Sequence, residues 1–112
     1  MRSLKQKIME VFFNTDKNIE GKERIEAYFT KQIKEDLARF EDKVTRIEVH
    51  LSDENAAKSG AKDKKCVLEV RPQGLKPLAV SSNDDTIEKA ISSATKKMES
   101  SLTSLIGKLQ NY

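Results

Sequence analysis

A chain of 112 residues, 37% hydrophobic and 35% charged with no Trp, suits one soluble domain; it is too polar for a membrane protein and too apolar for a disordered one. The formal net charge is +3, from 21 basic and 18 acidic residues. Arg2, Lys5 and Lys7 precede the first acidic residue, Glu10, and equal the whole excess, so the remainder is near neutral and charge alone is weak support for a nucleic-acid partner.

Residues 8–13, IMEVFF, are predicted as a strand with Met9, Val11 and Phe13 on one face and Ile8, Glu10 and Phe12 on the other. The run Asn14-Thr15-Asp16-Lys17-Asn18 is turn chemistry and ends it. Residues 22–40 are predicted as a helix. Ile25, Phe29, Ile33 and Leu37 recur every fourth position, Tyr28 and Phe40 widen that stripe, and Glu23, Lys31, Lys34, Glu35 and Arg39 occupy the opposite side.

Residues 45–52, TRIEVHLS, form the clearest half-buried strand pattern, with Ile47, Val49 and Leu51 inward and Arg46, Glu48 and His50 outward. Residues 53–64 are small and polar and read as an exposed loop. A third strand is expected over 65–71, with Cys66, Leu68 and Val70 on one face, followed by a turn at Pro72-Gln73-Gly74. A short fourth strand covers 78–81, led in by Pro77. A long helix starts near Thr86, capped by Asp84 or Asp85, with Glu88 at capping-box distance from Asp85. Its stripe is Ile87, Ala90, Ile91, Ala94, Met98, Leu102, Leu105 and Leu109.

This order predicts an α+β fold, β-α-β-β-β-α, with a four-stranded mixed sheet and both helices on one face. The expected unit is a single domain over residues 1–112, with 1–7 as a flexible N-terminal extension. Phe29, Ile33, Leu51, Leu68, Ile91 and Met98 are the expected core. The single cysteine excludes an internal disulfide. No apolar run reaches the roughly 18 residues of a membrane span or forms a signal peptide, so a cytoplasmic location is expected.

Few residues suggest chemistry. His50, the only histidine, lies beside Glu48 and reads as a surface-strand histidine able to pair with a carboxylate or with RNA. Cys66 reads as a small buried hydrophobe. Asp53, Glu54, Asn55 and Asp63 are oxygen donors without the alternate spacing and central Gly of a calcium loop, and Gly60 and Gly74 are isolated rather than part of a phosphate loop. No catalytic residue, metal or cofactor is expected.

Several segments carry a resemblance. They are Asn18-Ile19-Glu20 before the first helix, Val44-Thr45-Arg46-Ile47-Glu48-Val49-His50-Leu51-Ser52, Asp85 opening the second helix, and Ala90-Ile91 and Lys97-Met98 within it. In their order and spacing the chain resembles the bacterial ribosome hibernation-promoting factors, also called ribosomal subunit interface or sigma-54 modulation proteins. The resemblance implies a fold akin to double-stranded-RNA-binding domains. It also implies binding in the decoding region of the small ribosomal subunit, where members cover the path of messenger and transfer RNA and hold ribosomes inactive under stress. Long members carry a further C-terminal domain that pairs ribosomes; this chain, ending at Tyr112 after the second helix, looks like a short form. Ser100, Ser104, Ile106, Glu26 and Gln32 stand where members are often basic, with Lys31, Lys34, Lys89 and Lys96 at neighbouring positions.

The residues expected to contact ribosomal RNA are therefore Lys96 and Lys97, helped by Lys108, Lys89, Lys31 and Lys34. Two functions are compatible with this pattern. One is a non-catalytic translation silencer acting on the small subunit by steric occlusion, with no membrane or small-molecule partner. The other is a protein-interaction or regulatory module that keeps the fold without ribosome binding. A continuous patch of helical lysines distinguishes the first from the second.

Overall fold

A computed structural model describes residues 9–54 and 63–110, with side chains through residue 107. The expected N-terminal extension, most of the loop over 53–64, and the side chains of Lys108 and Leu109 lie outside the described residues. The elements are β1 (Glu10–Thr15), α1 (Lys22–Asp36), β2 (Val44–Asp53), β3 (Lys64–Pro72), β4 (Leu78–Asp84) and α2 (Ile87–Gln110). The sheet order is β1-β2-β3-β4. β1 and β2 are parallel, whereas β2–β3 and β3–β4 are antiparallel, as the element order predicts.

The alternation assigned to the first three strands holds. On β2, Val44, Ile47 and Val49 are fully buried and Leu51 nearly so, while Arg46 is exposed and Glu48 and His50 are half-buried. On β3, Cys66, Leu68 and Val70 share the inner face. Both helices cover that face. Ile25, Phe29 and Ile33 of α1, and Ile87, Ala90, Ile91, Ala94, Met98 and Leu102 of α2, join the strand residues in one core. All six residues expected at the centre belong to it. Thr95 is a buried polar residue of α2, and its hydroxyl donates to the Ile91 carbonyl at 2.8 Å, so its burial leaves no donor unpaired.

Element ends differ from the sequence pattern where pairing or local geometry overrides it. β1 runs on through Asn14 and Thr15, which look like turn residues but lie beside His50 and Leu51 of β2. β4 likewise extends through Ser82, Asn83 and Asp84, paired with Cys66, Lys65 and Lys64; backbone bonds rather than apolar side chains hold that stretch. α1 stops at Asp36 and gives way to a 3-10 turn at Ala38–Phe40. Leu37 and Phe40 remain buried because three residues per turn align positions three apart. Tyr28 does not widen the apolar stripe but is 62% exposed. The cap of α2 is neither Asp84 nor Asp85: the Thr86 hydroxyl accepts the Lys89 N–H at 3.1 Å, the geometry of an N-cap bonding the third helical residue.

Two glycines satisfy backbone demands. Gly21 precedes α1 with φ 71°, and Gly74 has φ 76° in the turn closed by the Leu75 N–H on the Pro72 carbonyl at 3.0 Å. Other residues rarely adopt these angles. A register shift between Val44 and Ile47 places an extra residue in β2 opposite β3, a β-bulge that lets both apolar side chains face inward at a spacing of three.

Truncating Leu51→Ala removes buried methyl groups from the central strand and should cost about 2–5 kcal/mol, read as a lower denaturant midpoint; an unchanged midpoint would take Leu51 out of the core. Burial also pushes the Cys66 thiol up to about 12, so the reactive thiolate is scarce at neutral pH. Cys66 should label slowly with a thiol reagent in native protein and rapidly after denaturation; equal rates would contradict its inward orientation.

Candidate functional site

The sheet leaves two surfaces for function: the outward side of the helix pair and the uncovered face of the strands. On the helical side, α1 and α2 are separated by a groove of about 570 Å³. Arg24, Ile25, Tyr28, Phe29, Gln32 and Asp36 of α1 line one wall, and Glu88, Ser92, Lys96 and Glu99 of α2 the other. Tyr28 meets Phe29 edge to face at 4.9 Å between ring centroids. The groove is apolar at its base, with Arg24 and Lys96 opposed by Asp36, Glu88 and Glu99 among its lining residues. Past its far end, Arg39 reaches from the 3-10 turn to the Thr103 hydroxyl at 2.7 Å.

The five predicted lysines whose side chains are described sit in different settings. Lys31 and Lys34 are exposed on α1. Lys96 lines the inter-helix groove. Lys97, one residue on, turns about 100° around the helix, and its Nζ donates to the Ser81 carbonyl of β4 at 2.7 Å. Lys89 pairs with Asp85 at 3.3 Å in solvent, a contact of small energetic weight. Lys108 lies outside the described side chains. Sequence reasoning passed over Arg24 and the outward role of Tyr28, although Arg24, Tyr28 and Lys31 follow the i, i+4, i+7 spacing of a single helical face.

The uncovered sheet face carries paired charges. Arg46 Nε lies 3.0 Å from Glu48 Oε2, and its guanidinium stacks 4.1 Å from the centroid of the exposed Phe12 ring. His50 Nε2 lies 3.1 Å from Glu69 Oε1 and 3.6 Å from Glu48 Oε1. The hydrogen bond from Arg46 holds the Glu48 carboxyl below its ordinary value. His50 thus meets the carboxylate partner that its position suggests, and a second one from β3.

The acidic loop donors are partly engaged by a lysine. Lys64 Nζ lies 2.9 Å from Asp63 Oδ1 and 3.4 Å from Asp53 Oδ2, and the hydrogen bond to Asp63 raises the Lys64 ammonium above its ordinary value. Asn55 and Gly60 fall outside the described residues. No helix among the described residues is long and apolar enough to cross a membrane.

Comparison with known proteins agrees with this architecture. The backbone is similar to the crystal structure of the Thermus thermophilus Protein Y N-terminal domain, with a TM-score of 0.62 and 20% sequence identity over 87% of this chain and 99% of that one. No curated protein matches the sequence. The family described as Sigma 54 modulation protein / S30EA ribosomal protein matches residues 14–110, a span that takes in both helices and β2 to β4 entire. The chain therefore belongs to the sigma 54 modulation protein / S30EA ribosomal protein family of ribosome-associated modulation factors.

Proposed function

We propose that the protein binds the small ribosomal subunit through the outward side of α1 and α2 and silences translation by occupying that site, without catalysis. The observation that carries this reading is the family match over residues 14–110. Exposed Lys31, Lys34 and Lys96 on the helical surface support it. Ammonium groups there meet ribosomal RNA phosphates, contacts that position a protein without reading base sequence. Lys89 joins them by exchanging its exposed Asp85 partner for phosphate, Lys97 extends the contact towards the β4 side, and Lys108 adds a further cation. Exposed Tyr28, beside Arg24, adds an aromatic surface next to these cations. A protein acting this way works in the cytoplasm, where the ribosomes are.

A second reading draws on the carboxylates of the groove. Asp36, Glu88 and Glu99 beside Arg24 and Lys96 repel phosphate and suit a protein partner, as expected of a module that keeps the fold and has set ribosome binding aside.

Sedimentation with purified small subunits across a salt series separates the two. Wild type should cosediment at low salt and dissociate steeply as salt rises, because each neutralised phosphate releases counterions. Lys31→Glu with Lys96→Glu should abolish cosedimentation at moderate salt. It should leave the melting curve nearly unchanged, since surface substitutions cost about 0.5 kcal/mol or less each. Lys97→Glu needs a separate measurement because it also removes the bond to Ser81. Failure of wild type to cosediment at low salt would discard the silencer reading in favour of the interaction module.

A further inference from the structure

The charged cluster on the uncovered sheet face lies opposite the helices and plays no part in the proposed ribosome contact. Glu48 and Glu69 are register partners on β2 and β3, so two carboxylates stand directly across from each other. Like charges in that relation are destabilising, and Arg46 and Arg71 offset part of the charge on Glu48. His50, two residues along β2, turns its Nε2 towards both, 3.1 Å from Glu69 Oε1 and 3.6 Å from Glu48 Oε1. Donor atoms of the three residues all lie within 4.8 Å of one another.

We propose that Glu48, His50 and Glu69 form a binding site for a divalent transition-metal cation of the zinc type. Zinc bonds nitrogen and carboxylate oxygen at about 2.0–2.2 Å in tetrahedral geometry, which sets neighbouring donors about 3.3–3.5 Å apart; the two histidine–carboxylate distances bracket that spacing, and the two carboxylates, within 4.8 Å of each other, close on the ion by side-chain rotation. The ligands are also oriented. Arg46 holds Glu48 by Oε2 at 3.0 Å, leaving Oε1 towards His50, the outer support that metal-binding carboxylates use. All three side chains rise from paired strands rather than a loop, so their backbone positions are set by the ladder. The side chains are partly exposed, which leaves an entry path and room for water as a fourth ligand. One imidazole with two carboxylates favours zinc-type ions over magnesium, which prefers oxygen ligands alone. The chain's single thiol does not compete, because Cys66 is fully buried on the opposite face of the sheet.

His50 is the only histidine, so its ring nitrogens report on this site without ambiguity. Zinc chloride titrated into nitrogen-15-labelled full-length protein should shift the ring signals to saturation near one equivalent. Magnesium chloride should leave them in place. Glu48→Gln and Glu69→Gln should each weaken zinc binding by about tenfold or more, the scale seen even for outer-shell losses. Both should melt as wild type does in zinc-free buffer. Ring signals that ignore zinc would overturn the site. So would equal zinc affinity in wild type and both glutamine variants, since binding would then rest on His50 alone.

Discussion

β2 carries the structure. It pairs with β1 on one side and β3 on the other, and its inward side chains from Val44 to Leu51 are almost wholly removed from water. A central strand that is apolar on one face only must be covered on that face only. The parallel β1–β2 pairing needs a crossover, which α1 provides, and the apolar stripe of α2 fills the rest of the same layer. The outward residues of β2 then have nowhere to go but solvent. The division of the molecule into a helical side and a bare charged side follows from a period-two pattern in a single segment.

That pattern is why the faces were readable from sequence while several boundaries were not. Ile47, Val49 and Leu51 alternate without ambiguity. Asn14, Thr15 and Ser82 to Asp84 have no such signal, and they become strand because a neighbouring backbone offers hydrogen bonds. Local preference for a turn loses to pairing. At the end of α1 the clue was present but compressed: Leu37 and Phe40 are three apart, the repeat of a tighter helix. Val44 and Ile47 are also three apart, a spacing that only the bulge reconciles with a shared inner face. At the start of α2, three consecutive oxygen-bearing residues compete to cap, and the register of the first turn selects Thr86.

The candidate binding surface was less legible than the fold. Adjacent lysines look like a unit in a sequence, but neighbours on a helix diverge by about 100°. Lys96 and Lys97 accordingly serve different borders of α2, one along the groove and one against the sheet edge. Arg24, Tyr28 and Lys31, separated in sequence, share a side of α1. Cross-strand relations are harder still to foresee. That Glu69 would stand opposite Glu48 and beside His50 depends on the register of β2 against β3, which the loop between them conceals.

The bond from Lys97 to Ser81 has a consequence for how copies of the protein meet. β4 borders the sheet, and a bordering strand offers its outer carbonyls to any extended chain that collides with it. An ammonium group seated on one of those carbonyls must be displaced before a new strand can dock, and its charge repels a second copy bearing the same lysine. The side chain that looks by sequence like a hand for RNA thus also occupies an acceptor on the open flank of the sheet, which counts against strand-to-strand stacking at that point.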